Sequence, residues 1–344
     1  MSERNKPELS EKSSIETVST RDVKYFHTLG SGVLRAVEAP VVFSEDVDNH
    51  LRALRQGIVE KFPSDLEGLN MARIDSFFAS RDLRRSPLIV WSYDRQEELT
   101  KHITETIGPF ESMERGGVYI APLDLTVVFR GKALEEANGG PEITESLIVH
   151  EQAHGTNAHH ITRAVVPENS TLPNIEVPRG GQVTRSYGEE KVGLFLEEAF
   201  ADYTRGQYLE EIGMENGVLN LSGSMTTTHE GYDKELPMSL KYAFRLPDGS
   251  LNSSPSSHAA MALEMLMEKD PDLWPAMLKA RHDVDGLREV ARRLNALQPG
   301  LYKTLRDNFN SEAIFHRGLG YVVDVLENID QASAGQDSAT SVTA

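Results

Sequence analysis

Apolar residues recur at three- and four-residue spacing through Val47, Leu51, Leu54 and Ile58. That spacing predicts a helix over 45–61, ended by Lys61-Phe62-Pro63. The texture then changes. Pro87 to Tyr93 reads as a strand, 95–107 as a helix closed by Gly108-Pro109, and 117–121 and 125–129 as two more strands. A helix follows from about Pro141, with Pro and Glu in its first turn. It has no polar stripe around Leu147, Ile148 and Val149, the pattern of a helix buried on all sides. Another strongly helical stretch spans 194–203, and 206–212 continues or follows it. Segments 257–269, 273–280, 286–297, 301–309 and 318–328 read as successive short helices, with Met261, Met265 and Met267 as core filler. Residues 214–256 read as loop-rich, with a weak strand signal at Tyr242-Ala243-Phe244.

These elements predict an α+β fold in which a small mixed sheet precedes a mainly helical C-terminal part. Residues 1–20 are rich in Ser, Glu, Lys and Thr and are expected to be disordered. A mainly helical region over 21–86 is followed by a sheet-bearing unit over 87–155. A mainly helical unit spans 156–330, and a loose tail begins at Gln331. At 344 residues the chain is long enough for one large domain or two modest ones.

The candidate chemistry lies on the two buried-looking helices. His150-Glu151-Gln152-Ala153-His154 spells H-E-x-x-H. Residues four apart on a helix share a face, so both imidazoles can aim at one point. Tetrahedral zinc with bonds of about 2 Å accepts that geometry. Glu151 is rotated by roughly 100° from His150, beside such an ion rather than on it, where it can take a proton from an attacking water. A buried helix carrying His, Glu and His needs partners for them, and a metal site is the simplest way to supply them. On the second helix Glu198 and Asp202 stand four apart among Phe195, Leu196, Ala199 and Phe200. A catalytic zinc keeps three protein ligands and one open position. Glu198 can be the third ligand, and Asp202 can hold the far ring nitrogen of a liganding histidine.

His150-Glu151-x-x-His154 followed by Glu198-x-x-x-Asp202 resembles the gluzincin metallopeptidases, the thermolysin-like clan. The likeness covers two short motifs and their order. It implies that His150, His154 and Glu198 bind zinc, that Glu151 is general base and acid, and that Asp202 orients a histidine. The order strand, helix, strand, strand, metal helix is similar to the upper subdomain of zincin peptidases. That likeness implies a zincin-like fold with an edge strand beside the cleft, and either 117–121 or 125–129 can serve. The interval from His154 to Glu198 is longer than in thermolysin and must hold a loop excursion, with Pro167, Pro173, Pro178, Gly180 and Gly181 supplying turns.

His160 is the rival third ligand. Its spacing is similar to the metzincin pattern H-E-x-x-H-x-x-G-x-x-H, with Asn157 at the glycine position and Met225 as the one candidate for a methionine turn. Glu198 is preferred, because the metzincin alternative leaves the Glu198–Asp202 helix unexplained. Tyr187, Tyr203, His229, Tyr232 and His258 are donors by residue type for a tetrahedral oxyanion, with no motif behind any of them.

A net charge of −18 argues against nucleic-acid partners and against adhesion to anionic membranes. The absence of cysteine excludes disulfides and zinc–thiolate sites and fits a reducing compartment. No apolar run has membrane-span length, and residues 1–12 lack the apolar core of a signal peptide, so a soluble cytoplasmic protein is expected. The expected activity is zinc-dependent hydrolysis of a peptide or protein substrate. The alternatives are a catalytically inactive zincin-like binding or regulatory module and a metal-dependent amidohydrolase acting on a non-peptide substrate.

Overall fold

The computed structural model describes residues 45–107, 116–120, 123–156, 163–165, 174–179, 182–185, 193–212, 224–229, 232–282 and 284–340. In chain order, helices α1 (Glu45–Lys61) and α2 (Met71–Ala79) precede strand β1 (Leu88–Ser92) and helix α3 (Gln96–Ile107). Strands β2 (Gly117–Ile120) and β3 (Leu125–Arg130), a short α4 (Lys132–Ala137) and α5 (Glu142–His154) follow. Then come β4 (Arg163–Val165), β5 (Asn174–Arg179), β6 (Gln182–Arg185) and α6 (Leu194–Glu211). The rest comprises β7 (Ser224–His229), β8 (Tyr232–Ser239), β9 (Ala243–Arg245) and β10 (Leu251–Ser253), then α7 (Ser256–Lys269), α8 (Leu273–Ala280), α9 (Val284–Leu297), α10 (Leu301–Asn308) and α11 (Phe315–Thr340). The fold is therefore mixed, helices with small sheets.

The first sheet has the order β1-β3-β2. β3 runs parallel to β1 (Leu88 opposite Thr126) and antiparallel to β2 (Gly117 opposite Val128). Alternation along the strands divides the apolar residues between two cores. Ile89, Trp91, Val127 and Phe129 join Leu51, Ile58, Leu99 and Ile103 of α1 and α3. Val90 and Val128 join Ile148, Val149 and Ala153 of α5 on the other face. A strand covered on both faces reads as a continuous apolar run, and β3 (LTVVFR) does so.

Helix α5 is buried on every side, as its lack of a polar stripe predicts, and each buried polar group on it has a partner. Gln152 forms a two-point amide contact with Ser86: Ser86 N donates to its Oε1 and its Nε2 donates to Ser86 O, both at 2.9 Å. Glu145 accepts from the Asn70 amide at 2.7 Å and also from Arg73 and from the Tyr208 hydroxyl of α6. Gly155 ends the helix at φ −89°, outside the left-handed region, so its need for glycine comes from packing. A Cβ there would stand 2.7 Å from the Tyr119 ring and 3.1 Å from Ser86 Oγ.

Two parts of the C-terminal half differ from the sequence expectation. The span 156–330, predicted as mainly helical, contains the antiparallel sheet β4-β5-β6, the hairpin β7-β8 and the pair β9-β10. These strands are short, and β7 (SMTTTH) is formed by β-branched residues without apolar alternation to announce it. Helix α11 continues to Thr340, past Gln331, where a loose tail is expected. Ala332, Ala334 and Gln336 are good helix formers that carry no apolar periodicity. The segment 1–20, expected to be disordered, lies outside the described residues. Among the described residues no helix is long and apolar enough to cross a membrane.

Candidate metal centre

Helices α5 and α6 pack against each other and bring the two motifs together. His150 and His154 present rings whose centroids are 5.0 Å apart, nearly perpendicular at 82°. Glu198 lies across from both. Its Oε2 is 3.4 Å from His150 Nε2 and its Oε1 is 3.6 Å from His154 Nε2. The three side chains offer donor atoms that all lie within 4.8 Å of one another, a group able to hold a metal ion. Neighbouring ligands on a tetrahedral zinc with bonds of about 2 Å stand roughly 3.3 Å apart, and the two histidine–carboxylate separations, each to its own Glu198 oxygen, are of that size.

Each histidine is held from behind by a carboxylate. His150 Nδ1 lies 3.2 Å from Asp202 Oδ1, and His154 Nδ1 lies 3.1 Å from Glu197 Oε1. Both contacts engage the ring nitrogen away from Glu198, which leaves Nε2 of each ring for an ion. Asp202 is paired with Arg205 at 2.7 Å, and Arg205 donates to the Tyr242 carbonyl at 2.9 Å. Glu197 is paired with Arg281, whose Nη1 stands 3.1 Å and 3.0 Å from its two oxygens.

Among the described residues the enclosed acids around the two imidazoles are Glu151, Glu197, Glu198 and Asp202, and the enclosed arginines are Arg205 and Arg281. Counted as ionised, these four acids exceed the two arginines by two negative charges, the charge of one divalent cation. In its absence protons carry part of the load. Burial alone would lower the His150 pKa, but hydrogen bonds to Asp202 and Glu198 and the charge of Glu151 push it up to about 10. For Glu198 and Asp202 burial acts to raise the pKa, and the opposing positive partners prevail. His154 and His150 hold Glu198 low, and Arg205 and His150 hold Asp202 low.

Glu151 differs from both. Burial raises its pKa, the histidines oppose this, and the charges of Glu198 and Glu312 add to the rise. A raised carboxylate is suited to exchange protons near neutral pH. Glu151 rests against Gly117 of β2. A Cβ at Gly117 would stand 2.7 Å from Glu151 Cγ and 3.0 Å from its Oε1. Of the two strands expected to flank the cleft, β3 is the central one. β2 is on the sheet edge, with β3 its only partner among the described residues.

His160, the rival ligand, and Tyr187 lie outside the described residues. Met225 lies in β7 opposite Met238, in a strand rather than a turn. The Tyr203 ring packs 4.7 Å from that of Trp274 and is capped by Lys241. His258 is buried on α7, its Nδ1 3.3 Å from the Pro255 carbonyl. His229 of β7 is paired in register with Tyr232 of β8.

Glu197 is the site residue that motif spacing missed. The signal was present, since two adjacent acids on a helix otherwise lined with Phe, Leu and Ala cannot both face solvent. Arg205 stands three residues from Asp202, an ordinary helical pairing distance. Arg281 comes from a separate helix and has no local signature. No family model matches the chain, and no curated protein or solved structure matches it, so the geometry of the centre itself carries the functional reading.

Proposed function

We propose that this chain is a zinc-dependent peptidase with a zincin-like fold, of the gluzincin type. The observation that carries the proposal is that His150, His154 and Glu198 each offer a ligand atom within 4.8 Å of the other two. Both imidazoles are already oriented by carboxylates. Imidazole and carboxylate donors without thiolate suit zinc. Zinc held there supplies a Lewis acid that acidifies water and polarises a scissile carbonyl.

The chain's own residues do the rest. Glu151 follows His150 directly and is turned off the ligand face toward β2. It accepts a proton from the attacking water and returns it to the departing amine. Its raised pKa favours that return. The edge of β2 offers backbone groups to an extended peptide, which would lie beside Glu151 as an added strand. A purely structural ion has no use for a general base, so Glu151 favours a hydrolase over a binding module.

The test has two arms. Elemental analysis should find about one zinc per chain, and Glu198→Ala should lose it. An unfolded protein such as casein should be cleaved, and Glu151→Gln should slow this by about 10²–10⁴-fold while zinc is retained. Zinc retained with no turnover on casein or broad peptide libraries would point to the regulatory module instead. Absence of zinc from the purified and reconstituted wild type would remove the metal reading altogether.

A further inference from the structure

We propose that Arg281 is a positioning residue for the metal centre, acting through Glu197 to fix His154 with its Nε2 turned toward the ion. The inference rests on the metal reading above and concerns how this chain holds its second histidine.

Arg281 caps the C-terminal end of α8, far from both motif helices in sequence. Its side chain is 0% exposed, and that of Glu197 is 1% exposed. An arginine is seldom buried to this degree unless paired. One guanidinium nitrogen spans both Glu197 oxygens, at 3.1 Å and 3.0 Å. The guanidinium carbon sits 3.6 Å from the centroid of the Phe200 ring, which itself stacks on Trp274 of α8 at 5.1 Å. The planar cation is thus set both by its ion pair and by aromatic packing.

The consequence follows from hydrogen-bond chemistry. An ionised carboxylate only accepts. Glu197 facing His154 Nδ1 at 3.1 Å therefore places the ring hydrogen on Nδ1 and leaves the Nε2 lone pair for a cation. A carboxylate this deeply enclosed needs a counter-charge, and Arg281 supplies it. Glu197 lies one turn into α6, beside Glu198, so one helix delivers a ligand and the clamp on another ligand. Docking of α8 is thereby coupled to the readiness of His154.

A merely structural ion pair would affect folding and leave the shell unchanged in whatever protein folds. Zinc affinity is read by competition with a chromophoric chelator, and shell geometry by the visible spectrum of the cobalt-substituted protein. Thermal unfolding of the metal-free chain serves as the folding control. Arg281→Met is expected to weaken zinc binding by about 10–100-fold and to shift the cobalt bands. The double variant Glu197→Gln/Arg281→Met keeps a neutral acceptor for Nδ1 and needs no counter-charge, so it should bind zinc within about threefold of wild type (less than 1 kcal/mol). Folded Arg281→Met with wild-type affinity and wild-type cobalt bands would overturn the proposal. If Arg281→Met does not fold, Glu197→Gln/Arg281→Met is compared with Glu197→Leu/Arg281→Met. The leucine version should bind at least about tenfold more weakly, and equal affinities would overturn the clamp. Wild type that binds no zinc is a different failure, visible before any variant is made, and it removes the metal reading together with the clamp.

Discussion

His150 and His154 are held by the same device built from different material. Each ring nitrogen facing away from Glu198 meets a carboxylate, and each carboxylate meets a buried arginine. Behind His150 the carboxylate and the arginine are Asp202 and Arg205, three residues apart on α6. Behind His154 they are Glu197, on the first turn of α6, and Arg281, at the end of α8. The acid and the cation of the first support both come from α6, with Ser257 of α7 and the Tyr242 carbonyl as added hydrogen-bond partners. The second exists only when α8 has docked, so the two histidines depend on different amounts of tertiary structure.

The largest expected effect comes from breaking the local support. Arg205→Met leaves Asp202, whose side chain is 1% exposed, without its arginine partner. Removing one partner of a buried pair costs about 3–5 kcal/mol. The metal-free protein should lose about that much in a denaturant titration. Asp202→Asn/Arg205→Met removes both charges and should recover most of the loss. If the double variant is no more stable than the single, the pair does not act as a unit.

A smaller effect leaves both supports in place and disturbs only the group between them. Gly117→Ala drives a methyl group into Glu151, which is 2.7 Å from the position of that Cβ. Misplacing a reacting group by about 1 Å costs roughly 10²-fold in rate. Turnover of casein should fall by about that factor while zinc content and chelator competition stay at wild-type values. Loss of zinc along with activity would show that β2 holds the ligands and not merely the base.

The contrast also explains what the chain disclosed in advance. His150, Glu151, His154, Glu198 and Asp202 stand at one- and four-residue intervals on two helices, and helical periodicity converts such intervals into shared faces. Strands β1 and β3 were legible because both are buried runs that read as nearly continuous apolar stretches. Arg281 was not legible, since nothing in its neighbours relates it to Glu197, 84 residues away. Apart from β9, which overlaps the strand signal at Tyr242-Ala243-Phe244, the strands from β4 to β10 stayed hidden for a related reason. Their pairing is set by partners across a hairpin or sheet rather than by a stripe that one segment can show.

The His150 support has a further signature in pH. The His150 pKa is raised from 6.5 to about 10 in the metal-free fold. A raised value means that the bound proton stabilises the folded state fully below pH 6.5 and that this stabilisation is lost as pH rises through about 10. An ion and that proton compete for Nε2, so zinc affinity should climb by about tenfold per pH unit across the window. Calorimetry in two buffers of different ionisation enthalpy at pH 8 should show about one proton released per ion. Asp202→Asn weakens the hold on that proton and should flatten the dependence. An affinity independent of pH from 7 to 9 would mean that His150 is already neutral before the metal arrives.

The smallest effect tests whether the remote support extends beyond Arg281. The amides of Gly193 and Leu194, which open α6, both donate to Asn310 Oδ1, at 2.8 Å and 3.2 Å, and Gly193 N also donates to the Arg306 carbonyl at 2.8 Å. A helix start leaves its first amides without partners inside the helix, and here the acceptor comes from the segment between α10 and α11. Loss of such a cap costs about 1 kcal/mol. Asn310→Ala should lower stability by that amount. Because Glu197 and Glu198 sit within the first turns, it should also loosen zinc binding by a few-fold. Arg205→Met reaches the metal through Asp202 and His150, whereas Asn310→Ala reaches it through the N-terminal end of α6. The two effects on zinc affinity should therefore add in the double variant, within the roughly 0.5 kcal/mol expected of independent sites. A strongly non-additive result would mean that the two supports are one network and that α6 moves as a rigid lever between them.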